Sequence, residues 1–96
     1  MTALRRYNAK RDENEASIVR VFQDMGCLVF RLDRPMDLLV YVFKSLSERL
    51  LLVEVKTPKG GLNDKQKSFI DAGWPVHVVR SEDDAINLVT RLRSGT

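Results

Sequence analysis

Read for the spacing of its apolar residues, the chain divides into alternating helical and extended segments. Ile18, Val19, Phe22 and Met25 recur at three- and four-residue intervals, the stripe of an amphipathic helix. That helix is expected over about residues 12–25, with Asp12 as N-cap and Gly26 as stop. Glu13, Ser17, Arg20 and Asp24 make its wet face, whereas Glu15 falls on the stripe that packs against the sheet. Residues 27–32 read as a first strand, Asp33-Arg34-Pro35 as a turn, and residues 37–43 and 50–56 as second and third strands. The segment from Lys44 to Arg49 is polar enough to be a hairpin loop, which makes the second and third strands antiparallel. Pro58 denies the third strand a further ladder bond. A second helix over about residues 63–72, with Phe69 and Ile70 on its inner face and Gly73 as stop, leads to a short strand at 76–79. Ser81 caps a last helix that carries Ala85, Ile86, Leu88, Val89 and Leu92. A strand, crossover helix and strand imply parallel pairing with a right-handed connection. The expected fold is α/β, in the order αβββαβα, with one mixed sheet flanked by helices.

With 96 residues the chain has room for one small core, so a single domain over 12–93 behind a basic arm at 1–11 is expected. So small a core leaves little margin, and a homodimer is the corresponding expectation. Hydrophobic residues at 44% and charged residues at 30% exclude a disordered composition. The apolar runs are too short to span a bilayer, and the opening residues lack the apolar region of a signal peptide. Cys27 is the one cysteine, which leaves no intrachain disulfide and suits a reducing cytosol; its plainest role is that of a small core residue. The net charge of +3 is modest but unevenly placed. Arg5, Arg6, Lys10 and Arg11 stand in a segment with no acid, and Lys56, Lys59, Lys65 and Lys67 surround Gly60-Gly61, relieved only by Asp64. Such groups would neutralise phosphates, although a solvated basic surface is common, and charge alone favours nucleic acid only weakly.

The chemistry lies in Glu54-Val55-Lys56, at the end of the run Leu50-Leu51-Leu52-Val53. Residues two apart on a strand share a face, so Glu54 and Lys56 continue the face of Leu50 and Leu52, here expected to be buried, while Leu51, Val53 and Val55 point the other way. An acid two positions before a base arises by chance once or twice in a chain of this size, and its plain role is a salt bridge. Asp37 alone could simply close the turn after Pro35. Their joint placement carries more weight: with 44–49 as the hairpin tip, Asp37 at the open end lies opposite the neighbourhood of Glu54 to Lys56. Two carboxylates so close repel unless a cation lies between them, and hard oxygen ligands with sites left to water and phosphate suit Mg2+. Glu15 has two readings, the third position of a capping box with Asp12 or a third carboxylate at the metal. Gln66 poses the same choice, with Asn63 as its cap. His77 reads as an ordinary strand position, and one His with one Cys argues against zinc.

The strings RDENEASIV, RPMDLLVYV, LLLVEVKTPKGGLNDKQ and PVHVVRSEDDAINLV resemble, in order and spacing, the VRR-NUC branch of the PD-(D/E)XK nuclease superfamily, most of all its compact stand-alone members from phages and bacteria. The resemblance runs from about Asn8 to Val89. It implies a restriction-endonuclease-like core in which Glu15 matches the first-helix acid, Asp37 the metal-binding aspartate, Glu54 and Lys56 the (D/E)-x-K pair, and Gln66 the glutamine of the following helix. One departure is Pro35-Met36-Asp37, where the usual Pro-Asp step is displaced by one; Asp37 still opens the strand, and Asp33 is a weaker substitute. The resemblance further implies Mg2+ or Mn2+ on Asp37, Glu54, the Val55 carbonyl and Glu15, with Lys56 orienting water and Gln66 steadying it. Arg5, Arg6, Lys10, Arg11, Lys59, Lys65 and Lys67 would hold DNA phosphates. It also implies DNA, branched or four-way forms included, as the substrate; one site per chain would cut two strands most simply as a symmetric homodimer, and the expected compartment is the cytosol of a bacterium or a phage-infected host. The rival expectations are a non-catalytic nucleic-acid-binding or assembly module, and a structural domain in which these acids form ordinary ion pairs.

Overall fold

A computed structural model of the chain describes residues 14–33 and 36–95. Within them the order is α1 (Glu15–Asp24), β1 (Leu28–Arg31), β2 (Leu38–Tyr41), β3 (Leu50–Val55), α2 (Asp64–Asp71), β4 (Val76–Val79) and α3 (Glu82–Ser94). The expected αβββαβα succession is therefore present. Asp12, Pro35 and the basic arm lie outside the described residues.

The strands form one sheet in the order β1-β2-β3-β4. β1 and β2 are antiparallel, with Leu28 opposite Tyr41 and Arg31 opposite Leu38. β2 and β3 are antiparallel, with Leu38 opposite Val53 and Tyr41 opposite Leu50. β3 and β4, joined through α2, are parallel, with Val53 beside His77. The polar loop 44–49 does form the hairpin tip, closed by the Val42 amide donating to Arg49 O at 2.7 Å. β1, β2 and β3 are two, three and one residues shorter than the apolar runs suggested, although the Leu32 amide still reaches Asp37 O at 2.7 Å.

Alternation along β2 and β3 divides the sheet into two unlike faces. Leu38, Val40, Leu51, Val53 and Val55 join Ile18, Val19 and Phe22 of α1 and Ala85, Leu88, Val89 and Leu92 of α3 in one buried cluster. The face expected to bury leucines is the opposite one, and here the structure corrects the sequence reading: Leu50 is 59% exposed and Leu52 only half-buried. Leu28 and Phe30 on β1 are exposed as well. Both large helices lie on the Val-rich face, which leaves only α2 to cover the other, at the Glu54 end. α2 buries none of its residues, and Phe69 and Ile70 are half-buried, less than their inward spacing suggested.

Local signals account for the helix ends. Gly26 and Gly73 follow α1 and α2 at φ +84° and +111°, left-handed values that favour glycine. Asn63 and Gln66 form a capping box at the start of α2, and the Ser81 hydroxyl accepts from the Asp84 amide at 3.1 Å. Acids at 82–84 and arginines at 91 and 93 complement the dipole of α3. α1 departs from expectation. It begins at Glu15 with Asn14 as N-cap, so Glu15 holds the first helical position and is not the third residue of a box with Asp12. The Asn14 side chain caps nothing because its amide is drawn to two strand ends, donating to Lys56 O at 3.1 Å and Arg80 O at 3.0 Å.

No described helix is long and apolar enough to cross a membrane. Phe22, fully buried between α1, α3 and the sheet, should be the costliest single truncation. Phe22→Ala is expected to lose about 3–5 kcal/mol of unfolding free energy, whereas Leu28→Ser on the open face should stay within about 0.5 kcal/mol; urea denaturation of the two variants measures both.

Candidate active site at the open end of the β2–β3 hairpin

Continuing the register one step past Leu38 and Val53 brings Asp37 beside Glu54. Asp37 Oδ2 accepts the Val55 amide at 2.8 Å, a bond that fixes this carboxylate on the backbone of the Glu-x-Lys segment. Glu54 itself is buried. Its Oε2 accepts Gln66 Nε2 at 2.6 Å and lies 3.2 Å from Lys56 Nζ. Its Oε1 is buried with no hydrogen-bond partner among the described residues. The acid and the amine thus share a strand face, as their spacing required, and Gln66 crosses from α2 to meet them.

Gln66 satisfies both of its expected roles with the two ends of one amide. Its Oε1 accepts the Asn63 amide at 3.0 Å while Asn63 Oδ1 accepts the Gln66 amide at 2.8 Å. With the oxygen committed to the cap, the NH2 group is left for Glu54. The helix cap therefore aims the donor at the carboxylate.

Burial pushes the Glu54 carboxyl up to about 7, with the charge of Asp37 adding to the rise and Lys56 opposing it. A buried acid in this state favours either a proton or a cation. Two carboxylates, one with an unpartnered buried oxygen, and the nearby Val55 carbonyl make a hard-oxygen set that fits a Mg2+-like ion retaining several waters.

Glu15 is buried on α1, as its place on the apolar stripe required, with Arg31 Nε 3.5 Å from its Oε2. Among the described residues no three His, Cys, Asp or Glu side chains form a group that could hold a metal ion. Glu15 is therefore not gathered into one site with Asp37 and Glu54, and the ion pair with Arg31 gives its carboxylate a different engagement. Asp33 is exposed in the turn. Lys59, in the loop before α2, and Lys65 and Lys67, on α2, are exposed, while Arg5, Arg6, Lys10 and Arg11 lie outside the described residues. His77 pairs with Glu48, Nε2 to Oε1 2.8 Å, and Cys27 is a buried thiol pushed up by burial; both fill the ordinary roles their sequence context suggested.

Two supporting residues went unread in the sequence. Asn14 ties the carbonyls of Lys56 and Arg80 together at the ends of β3 and β4. Arg80 Nη1 donates to Thr57 O at 3.1 Å and to Gly60 O, locking the loop after Lys56. Neither belongs to a local pattern, since their partners lie 42 and 66 residues away for Asn14 and 23 and 20 for Arg80. Compared with protein-family models, curated proteins and solved structures, the chain matches none.

The raised Glu54 carboxyl carries a pH signature. Its folded value of about 7 exceeds the ordinary 4.5, so the folded chain binds this proton more tightly than the unfolded chain. The resulting cost is absent below pH 4.5, grows as pH rises, and is complete above about 7. At pH 8 in chelator, Glu54→Gln should be the more stable protein by on the order of 3 kcal/mol. The gain should disappear near pH 4, as followed by urea denaturation across pH.

Proposed function

We propose that this chain is a divalent-metal-dependent endonuclease that hydrolyses phosphodiester bonds in DNA. One observation carries the reading: a buried carboxylate whose first oxygen is shared by an amine and an amide, whose second oxygen accepts no hydrogen bond among the described residues, and which stands close enough to a second acid, Asp37, for the two to share a proton or a cation. An ion pair with Lys56 alone leaves that oxygen unsatisfied at a cost of about 1–3 kcal/mol, which a proton or a cation shared with Asp37 removes.

Asp37, Glu54 and the Val55 carbonyl would hold Mg2+ or Mn2+, and such an ion supplies an activated water and offsets charge on the phosphate. Glu15 is left outside this set because Arg31 engages its carboxylate. Lys56, at the rim with its amine against Glu54, orients the attacking water or counters negative charge developing on the phosphorus oxygens. Gln66 keeps the Glu54 carboxylate turned toward Asp37, and Asn14 and Arg80 hold the backbone at Lys56 and in the loop that follows it. Lys59, Lys65 and Lys67, with the basic arm, grip phosphates outside the site and position the strand without reading its sequence. A site that serves one strand at a time suits a homodimer. Branched DNA is the substrate that the resemblance to VRR-NUC nucleases adds, and a bacterial or phage-infected cytosol is the compartment that goes with it.

Cleavage of linear, flapped and four-way DNA should appear with Mg2+ or Mn2+ and vanish with chelator. Glu54→Ala should abolish both cleavage and Mn2+ binding. Lys56→Ala should retain Mn2+ binding by calorimetry yet cut at least about a hundredfold more slowly. A non-catalytic binding module would instead bind DNA in every one of these conditions and cut in none.

A further inference from the structure

Trp74 is the chain's one tryptophan and is 55% exposed. It follows the turn that closes α2, and its ring lies over Phe69 with centroids 5.3 Å apart and planes within 6° of parallel. The other described aromatic pair, Tyr41 with Phe43, meets edge to face at 81°. A parallel pair with an open outer member differs physically from an edge contact, because a third flat ring can continue the column. Phe69 also restrains the indole, so little rotational freedom remains to be lost when that ring arrives.

The surroundings indicate what the ring belongs to. Phe69 lies three residues, less than one helical turn, beyond Gln66, the residue whose amide touches Glu54. Lys65 precedes Phe69 by four residues and so shares its side of the helix. Asp64 and Asp71, five residues before it and two after, fall on the far side at about 100° per residue. Lys59, in the loop leading to α2, is exposed. Lys65 therefore stands on the side of the helix that carries Phe69, away from the acids of that helix. An aromatic face beside cationic side chains is the combination that holds unpaired nucleotides, because every base has a π-face and every linkage an anion. Bases inside a duplex have those faces covered by their neighbours.

We propose that the Phe69–Trp74 stack is a binding platform for an unpaired nucleobase, next to the phosphate bound at Glu54 and Lys56. The proposal takes its ligand class from the nuclease reading above and adds to it a preference for DNA carrying an unpaired base beside the cut. The competing occupant of the same surface is a protein side chain, with Trp74 serving only to cover the end of α2.

Trp74 reports on itself, since all tryptophan emission from the chain is its own. In chelator and low salt, a short fluorescein-labelled thymidine oligonucleotide should quench that emission, saturating where anisotropy shows the oligonucleotide bound. A blunt duplex of equal length should bind without comparable quenching. Trp74→Phe should bind the oligonucleotide within about twofold of the parent and Trp74→Ala roughly tenfold more weakly, both with the parent's circular dichroism. Oligonucleotide bound without quenching, equal quenching by the duplex, or full affinity in Trp74→Ala would each overturn the platform. Cleavage assays with Mg2+ on the same preparations separate the two readings. A parent that is quenched but does not cut keeps the platform and loses the nuclease, and one that cuts without quenching loses the platform alone.

Discussion

The antiparallel register that sets Leu38 against Val53 governs most of what else this chain does. Side chains alternate along a strand, so a slip of one residue would turn Leu51, Val53 and Val55 out of the core and Glu54 into it. The buried cluster beneath α1 and α3 makes that slip costly, since it would exchange Leu51, Val53 and Val55 for Leu50, Leu52 and a carboxylate. The same register carries Asp37 to the Val55 amide. Core packing on one face of the sheet thus sets the separation of two acids on the hairpin's open end, with no interaction between those acids needed to bring them together.

What the register assembles is electrostatically costly. Glu54 is buried beside a like charge, and among the described residues only one of its oxygens accepts hydrogen bonds. Folded proteins tolerate such local cost where the surrounding structure outweighs it. Here the outweighing elements are identifiable: the aliphatic core behind β3, the capping box that orients Gln66, and the Lys56 amine. The loop after Lys56 is stiffened from two directions, by Asn14 at the start of α1 and by Arg80 at the end of β4.

The two faces of the sheet divide the labour. One is closed by two helices and holds the buried cluster. The other has only α2, a helix without a single buried residue, and its leucines remain in contact with solvent. α2 is attached through the polar contact of Gln66 with Glu54, its connections to β3 and β4 and the partial burial of Phe69 and Ile70. It is thus an element whose side chains are available to a ligand: the donor to Glu54, the lysines and the aromatic stack all project from this one segment or its flanks.

Local chemistry in the sequence was enough for the element order, the hairpin, the parallel crossover, the caps at Asn63 and Ser81, and the stops at Gly26 and Gly73, because each rests on residues within a few positions of one another. The nearness of Asp37 to Glu54 was also legible, since a hairpin of known tip converts sequence distance into spatial distance. Only the tertiary structure decided which sheet face became the core, because both faces of β3 are aliphatic and the choice depends on where α1 and α3 dock. It also decided the start of α1, where Asn14 forgoes capping for two carbonyls more than 40 residues away, and the engagement of Glu15 by Arg31 in place of a shared site with the other acids. Alternation and capping are properties of neighbouring residues, whereas docking and long-range hydrogen bonding depend on the packed whole.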